Sequence, residues 1–323
     1  MQRGAVEDAA LAPQTRSMTR VAIGLNAVVT ALEDGEPQVL CVRSDAGDPA
    51  SFALPYGPFA PEAHRTFDLG MRAMIQQQTG LAPAYVEQLY TFGDEGREAT
   101  RASLVGGAAT DRIVSVGYLA LTREARAPTG ARWRPWYDVF PYEDRREDEA
   151  LSAPLCAALQ AWAGADEARR ARLALAFGLG DSPWEEERAL DRYELLYEAG
   201  LVEEARRDGR ASAPLDATGP AMTSDHRRIL ATAIGRLRGK LRYRPVIFEL
   251  MDPAFTLTDL QAATEGILGF RVHKQNFRRA VTRSGLVEET GETTTKTLGR
   301  PAALYRRSAG VAVTGMTLPR LRD

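Results

Sequence analysis

Residues 273–283, with the sequence His-Lys-Gln-Asn-Phe-Arg-Arg-Ala-Val-Thr-Arg, decide how the C-terminal part of the chain is interpreted. Apolar side chains recur there at helical spacing and predict an inward face, formed by Val272, Phe277, Ala280 and Val281. The other positions carry basic or amide side chains, which can contact phosphates or base edges in a major groove. The DNA-contact candidates on this helix are Lys274, Gln275, Asn276, Arg278, Arg279 and Arg283.

Two further helices are predicted before this one. The first starts at an N-cap, Asp225, and is ended by Pro245. The second is predicted to start at Thr258, whose side chain caps the helix while Gln261 completes a capping box, and to end near Gly269. Thr258 is also counted among the DNA-contact candidates.

Two short strands are predicted after the basic helix, at 286–289 and 303–306. The order helix, helix, helix, strand, strand is that of a winged helix. The turn through 291–301 would present Lys296 and Arg300 at the tip of the wing, where they could enter a minor groove or contact phosphate.

The charge of the chain is unevenly distributed. Residues 223–308 hold 16 Lys and Arg and 8 Asp and Glu, a balance of +8, whereas the rest of the 323-residue chain carries -10. A basic module on an acidic remainder indicates a polyanionic partner for one end only. Double-stranded DNA is the leading candidate.

The N-terminal half alternates strand and helix patterns, which predicts an α+β fold or an α/β sandwich. A helix is predicted at 65–79 because its apolar residues recur at helical spacing and Gly80 stops it. Val114, Val116 and Tyr118 share one face of a later strand and are expected to pack on that helix. The strands are predicted at 21–29, 38–43, 86–92 and 113–121.

A segment rich in Ala, Leu, Glu and Arg follows from about 143 to 210 and predicts a helical insert, broken at 178–183. Its charged face could be solvated, could form a dimer surface or could pack on a neighbour, and the pattern does not choose. Residues 208–220 contain Gly, Ser, Ala and Pro and are predicted to form a linker.

Cysteine and histidine usage argues against a metal centre or a nucleophilic triad. Cys41 and Cys156 lie far apart, and His64, His226 and His273 are scattered. We therefore expect ordinary surface or core histidines and a reducing cytoplasm. No run of about 18 apolar residues occurs, so a soluble protein without a membrane partner is expected.

Catalytic carboxylates are missing from the one recognisable enzyme-like motif. Residues 77–81, Gln-Gln-Thr-Gly-Leu, resemble the end of a degenerate Nudix box, in which Ile75 matches the hydrophobic position. Gln77 and Gln78 replace the paired glutamates, and Arg65 stands where the first Glu belongs. Neutral amides are poor ligands for magnesium, so no catalytic or metal residue is predicted.

The two halves together resemble the Nudix-related transcriptional regulators of NAD metabolism, of the alphaproteobacterial type. The N-terminal motifs are Gln77–Leu81, Glu87–Asp94, Ser115–Tyr118 and Trp133–Pro141. The C-terminal motifs are Tyr243–Pro245, Phe255–Gln261, Asn276–Arg279 and Gly299–Ala302. The resemblance implies a Nudix-like α/β/α sandwich, a winged helix-turn-helix domain and a cytoplasmic homodimeric repressor of NAD-metabolism genes. The helical insert is not part of that family plan.

The resemblance also implies a nucleotide effector, ADP-ribose or a related NAD-derived nucleotide, and no cofactor. A diphosphate favours arginine and an adenine favours an aromatic face. The candidate effector-binding residues are therefore Arg43, Phe52, Gly57, Arg72 and Tyr118. A coupling of about 1–3 kcal/mol between effector and operator would change operator affinity by about 5- to 150-fold.

The predicted division is a flexible tail (1–18), a Nudix-like effector-binding domain (19–142), a helical insert and linker (143–222), a winged-helix DNA-binding domain (223–308) and a C-terminal tail (309–323). Two other functions stay open. The first is an active Nudix-type nucleotide pyrophosphohydrolase with an accessory winged helix, which would need acids from elsewhere to rebuild the metal site. The second is an RNA-binding or scaffold protein.

Overall fold

The computed structural model describes residues 21–43, 52–94, 112–124, 126, 130–147, 150–294 and 301–309. The strands are β1 (Val21–Glu33), β2 (Glu36–Arg43), β3 (Phe52–Ala53), β4 (Tyr56–Pro58), β5 (Tyr85–Phe92), β6 (Arg112–Leu121), β7 (Ala131–Pro135), β8 (Val287–Thr294) and β9 (Ala302–Arg307). The α-helices are α1 (Phe67–Thr79), α2 (Trp136–Val139), α3 (Ala153–Ala163), α4 (Glu167–Phe177), α5 (Ala189–Glu198), α6 (Glu203–Arg207), α7 (His226–Leu241), α8 (Leu257–Leu268) and α9 (Lys274–Ser284). Short 3₁₀ helices cover Pro141–Glu143, Glu186–Arg188, Asp216–Thr218 and Val246–Glu249.

The first seven strands form one mixed sheet in the order β3-β2-β1-β6-β5, with β4 paired to β1 and β7 paired to β2. The central strand, β1, pairs parallel to β6 and antiparallel to β2 and β4. Asp34 and Gly35 form the turn between β1 and β2, both with positive φ. All four predicted strands of this half are confirmed, although β1 continues to Glu33.

Helices cover both faces of the sheet, which confirms the predicted sandwich. On one face, Met71 and Ile75 of α1 form a core with Leu25 of β1 and with Val116 and Tyr118 of β6. The predicted helix is confirmed, and it begins at Phe67 because the Thr66 side chain accepts from the Leu69 amide. Gly80 ends it in the left-handed conformation.

The opposite face of the sheet is covered by α7, which also contacts α5 and α8. Ile229, Leu230, Ile234 and Leu237 of α7 are at most 1% exposed, so the predicted apolar stripe is confirmed. One core joins this sheet face to the insert and to the C-terminal module. The predicted boundary at residue 223 falls just before this helix.

The insert is helical as predicted, and its break falls between α4 and the 3₁₀ helix at Glu186–Arg188. The segment 208–220 connects it to α7 but is packed, which differs from a flexible linker. Thr218 is buried and its hydroxyl donates to the Leu201 and Leu215 carbonyls. Gly219 lies so close to Val139 that an added Cβ would be 2.3 Å from the Val139 carbonyl oxygen.

A buried charge cluster of Glu143, Arg192 and Arg238 joins the sheet half, the insert and α7. All three side chains are fully buried, and each arginine is paired with the Glu143 carboxylate. Burial alone would raise the pKa of Glu143, but the two guanidiniums outweigh it and hold that pKa below its usual range. One carboxylate balances only one of the two positive charges, and main-chain oxygens at helix ends stabilise the other. Arg192 donates to Ala176 O in the last turn of α4, and Arg238 donates to Ile267 O in the last turn of α8.

The β1–β2 turn lies directly against α8. A Cβ added at Gly266 would be 2.0 Å from the Gly35 carbonyl oxygen, and one added at Gly35 would be 2.9 Å from Ala262 Cβ. Only glycine permits this approach of two backbones. The contact sets the distance between the sheet and α8.

His226, the first residue of α7, connects that helix to the loop after β3. It is 2% exposed, and its Nδ1 accepts from the Leu54 amide at 3.0 Å, so the proton of the neutral ring is on Nε2. The edge of the ring lies against Tyr56. Burial lowers the pKa of His226 to about 3, with a smaller contribution from the positive charge of Arg207. The sequence-based expectation of an ordinary core histidine fits this position.

This buried imidazole predicts a loss of stability as pH falls from about 6.5 towards 3. In that window the unfolded chain binds a proton at residue 226 and the folded chain does not, so each pH unit costs up to about 1.4 kcal/mol. His226→Gln keeps an acceptor for the Leu54 amide but cannot titrate. Urea unfolding at about pH 7 and pH 5 should show a drop about 2 kcal/mol larger in the wild type, and an equal drop in both proteins would contradict this assignment.

Candidate functional site

The N-terminus of α8 differs from the sequence prediction. The N-cap is Thr256, whose hydroxyl accepts from the Asp259 amide while the Asp259 carboxylate accepts from the Thr256 amide. The predicted cap at Thr258 with Gln261 was therefore wrong by two residues. A carboxylate three residues after a threonine closes the box better than an amide does. Gln261 instead donates to Glu265 Oε1 and to the Val272 carbonyl.

The corrected cap can be tested by a pair of threonine substitutions. Thr256→Ala should lower the free energy of unfolding by about 1 kcal/mol, because it leaves an amide of the first turn without its acceptor. Thr258→Ala should lower it by less than half of that, since Thr258 is exposed and caps nothing. Thermal unfolding of both variants measures the difference, and a larger loss for Thr258→Ala would restore the original assignment.

Helix α9 presents one face to the core and a polar face outward. Phe277 and Val281 are fully buried. The helix begins after His273, whose side chain accepts from the Asn276 amide, and ends at Gly285 with positive φ. Most of the predicted DNA-contact side chains of α9 are exposed, namely Lys274, Gln275, Asn276, Arg279 and Arg283.

Arg278 has a different environment from the other basic side chains of α9. It is half-buried, and its Nη2 donates to the Thr258 hydroxyl at 3.0 Å, which joins α9 to the first turn of α8. Lys274, Arg279 and Arg283 have no ion pair with any described residue, in contrast to Arg172, for example, which is paired with Glu198. Exposed cations without an ion-pair partner among the described residues are available to a polyanion.

Thr282 is a further exposed residue of α9 that the sequence prediction omitted. It lies seven residues after Gln275, on the same side of the helix, so helical spacing could have identified it. Threonine contacts base edges as well as phosphates.

Strands β8 and β9 form an antiparallel hairpin, as predicted. The Tyr305 hydroxyl of β9 donates to Glu289 Oε1 at 2.7 Å, and the Phe255 and Tyr305 backbones are bridged just before α8. Lys296 and Arg300, the predicted tip residues, lie outside the described residues.

The structure places the five effector candidates on two sides of the sheet. Arg43 and Phe52 are cross-strand partners of β2 and β3, and Phe52 belongs to the core beneath α7. The guanidinium of Arg134 lies 4.1 Å from the centre of the Phe52 ring. Gly57, Arg72 and Tyr118 lie on the side of α1 instead.

The α1 side brings Tyr118 and Arg72 close to one carboxylate. Arg72 pairs with Asp68 at 3.0 Å and donates to the Pro83 carbonyl. Burial raises the pKa of Tyr118, and the charge of Asp68 adds to that shift. The Tyr118 hydroxyl donates to Gln88 at 3.5 Å.

Gln78, noted from the sequence only as a missing glutamate, has a contact of its own. Its Oε1 accepts from the Tyr56 amide at 3.2 Å, and its Nε2 donates to the Tyr56 carbonyl at 2.6 Å. A carboxylate could not donate to that carbonyl. The amide therefore holds the 54–57 loop against α1 in a way that a catalytic glutamate could not.

The described residues show neither a metal-binding cluster nor a membrane-spanning helix. No three His, Cys, Asp or Glu side chains of the described part of the chain lie together so that they could bind a metal ion. None of the described helices combines the length and apolarity needed to cross a bilayer.

Comparisons with known proteins identify the C-terminal module by sequence and the fold of the chain by structure. Residues 247–307 match the family model described as the NrtR DNA-binding winged helix domain. A protein of Acinetobacter baylyi described as ADPR responsive transcriptional repressor NtrR is 48% identical over 83 residues, which are 25% of this chain and 32% of that protein. The match therefore spans about a third of the length of that relative.

Solved structures share the fold of nearly the whole chain. Shewanella oneidensis NrtR complexed with a 27mer DNA has a TM-score of 0.53 at 21% identity, over 88% of this chain and 93% of that one. A MutT/nudix family protein from Enterococcus faecalis has a TM-score of 0.52 at 16% identity, over 91% and 89%. The fold is that of Nudix-related proteins that carry a C-terminal winged helix. The winged helix itself is of the NrtR DNA-binding type.

Proposed function

We propose that this protein is a transcriptional repressor of NAD-metabolism genes, which binds double-stranded operator DNA through α9 and senses ADP-ribose or a related nucleotide. The observation that carries the proposal is the winged helix at 247–307, whose recognition helix exposes Lys274, Arg279 and Arg283 without ion-pair partners among the described residues. Thr258 supports that surface from α8, through its hydrogen bond with Arg278 of α9. The predicted division, with residues 19–142 binding effector and 223–308 binding DNA, is part of the proposal.

The effector part of the proposal rests on the description of the Acinetobacter relative as ADPR responsive and on the Nudix-like sandwich. The Gly57, Arg72 and Tyr118 side of the sheet is the preferred location, because Phe52 is already covered by Arg134. We also propose a cytoplasmic homodimer, since a symmetric dimer places two winged helices on half-sites about one helical turn, or a multiple, apart.

The competing function is nucleotide hydrolysis. Its metal site would need carboxylates where Gln77 and Gln78 stand, and Gln78 is occupied with the Tyr56 backbone. These contacts support a binding domain without a catalytic role.

The test is fluorescence anisotropy at fixed salt, with promoter fragments from the protein's own gene and from NAD-metabolism genes, with and without ADP-ribose. We expect promoter-specific binding that ADP-ribose weakens. Failure to bind any of these promoters specifically, together with magnesium-dependent cleavage of the nucleotide, would favour the hydrolase. Specific binding to structured RNA in preference to duplex DNA would favour the RNA-binding alternative.

Two arginine variants, one on α9 and one on α4, test the role of α9 in the same measurement. Arg279→Ala should weaken operator binding about tenfold, because a bidentate arginine contact to guanine contributes about 1–3 kcal/mol. Arg169→Ala, on the exposed surface of α4, serves as the control and should leave binding unchanged. Equal affinities for the two variants would remove α9 from the DNA interface.

A further inference from the structure

The chain segment that follows the last strand of the sheet is hydrogen-bonded to the residues before the recognition helix. We define the connecting segment as residues 137–147, directly after β7 and Trp136. We define the interhelical turn as residues 266–273, which are the last three residues of α8 and the five residues that lead to α9. The Tyr137 hydroxyl donates to the Gly266 carbonyl, and the Arg145 amide donates to the Gly269 carbonyl at 2.8 Å. Two elements far apart in sequence are thus joined by main-chain oxygens of the turn.

Further contacts hold the interhelical turn from the side of α7 and fix the connecting segment to the first hairpin of the sheet. Arg238, fixed by Glu143 of the connecting segment, donates from Nε to the Ile267 carbonyl at 2.8 Å. Arg146 of the connecting segment forms ion pairs with Glu36 in the first hairpin of the sheet and with Asp144. The connecting segment is therefore bound to the residues that lead into α9.

The other end of the connecting segment leads to the effector half. It continues β7, which pairs along β2 and carries Arg134 over the Phe52 ring. Trp136 and Val139 are fully buried in the core that also contains Phe52 and Leu54. A change in the loop after β3 has a packed route to this segment.

We propose that the connecting segment transmits effector occupancy to the recognition helix, with Tyr137 as the positioning residue for the interhelical turn. This inference rests on the proposed function and specifies its regulation. Coupling requires that effector and operator favour different positions of one element, and the connecting segment contacts both halves. The helical insert contributes by holding Arg238 through Arg192 and Glu143.

The test compares two tyrosines of the connecting segment. Tyr137→Phe keeps the ring but removes the donor to Gly266 and the acceptor of a 3.4 Å hydrogen bond from Arg238 Nη2. Tyr142→Phe removes a buried hydroxyl that has no partner among the described residues. The readout is the ratio of operator dissociation constants with and without ADP-ribose. We expect this ratio to fall about two- to tenfold in Tyr137→Phe, which corresponds to the loss of the hydrogen bonds of one hydroxyl, and to stay at the wild-type value in Tyr142→Phe.

Operator affinity without ADP-ribose should change less than about twofold in either variant, so a merely structural effect is distinguished from lost coupling. An unchanged ratio in Tyr137→Phe, or an equal fall in both variants, would overturn the inference while leaving the proposed function intact. No effect of ADP-ribose on the wild type would overturn both.

A second measurement needs no variant. Amide hydrogen exchange of the full chain should change at residues 137–147 and 266–273 when ADP-ribose is added, and unchanged exchange in both ranges would also overturn the inference.

Discussion

Glu143→Gln should lower the free energy of unfolding by about 3–5 kcal/mol, a large fraction of the total stability of a domain. Among the described residues, the carboxylate that this substitution removes is the one paired with Arg192 and Arg238, both fully buried. Two guanidiniums would then remain in a low-dielectric interior without a counter-charge. Urea unfolding followed by tryptophan fluorescence measures the loss.

The matched control is Glu198→Gln, which breaks the exposed pair with Arg172 at 2.5 Å. Exposed pairs contribute about 0–1 kcal/mol, so this variant should stay close to the wild type. If the two variants lose similar stability, the buried cluster is not the strong element that its geometry indicates. Because the pKa of Glu143 is lowered, the contribution of the cluster is present above the usual glutamate range and is lost as pH falls through the lowered value.

Gly266→Ala should destabilise the protein by about 3 kcal/mol, at the upper end of overpacking costs. The new methyl group would lie 2.0 Å from the Gly35 carbonyl oxygen and 3.2 Å from Pro37 Cδ, so the backbone of α8 or of the turn must move. Helix propensity alone predicts the opposite sign, since Ala is better than Gly inside a helix by about 1 kcal/mol.

Gly239→Ala on α7 is the control, because there we expect only the stabilisation that helix propensity predicts. The nearest neighbour of its added Cβ is Glu187 Cβ at 3.8 Å, an ordinary contact, so this variant should gain about 0.5–1 kcal/mol. Differential scanning calorimetry of both variants gives the signs. Stabilisation by Gly266→Ala would mean that the β1–β2 turn and α8 are not in contact.

Local patterns predicted the elements well because each is specified within a short window. Apolar periodicity predicted four of the seven strands of the sheet, β1, β2, β5 and β6, and the helices α1, α7 and α9, and Gly80 and Gly269 marked two helix ends. The short strands β3, β4 and β7 were not predicted. The prediction of the N-cap of α8 was wrong because two threonines each have a suitable capping-box partner three residues later: Thr256 has Asp259, and Thr258 has Gln261. Only the observed hydrogen bonds decide between the two.

Long-range features could not be predicted from the same patterns. Glu143, Arg192 and Arg238 each resemble solvated residues of a charged helical surface, and their meeting depends on the packing of three elements. The effector candidates were chosen by chemical type, and type does not determine the face of a sheet. Strand alternation could have identified the side on which Arg43 lies. Arg43 is three residues after Leu40, whose side chain packs on the α1 side, so Arg43 lies on the opposite side of β2.

The cover that α7 provides for the sheet also determines the order in which this chain can fold during synthesis. Strand β1 ends at Glu33, and the helix that covers its second face begins at His226, roughly 190 residues later. At about 5–20 residues per second, a ribosome needs on the order of 10–40 seconds to complete that interval. During this time the part of the sheet that α7 covers in the folded chain lacks this helix, so the nascent N-terminal half depends on chaperones or on transient burial until α7 emerges. The chain consequently reaches its native state late and as one unit.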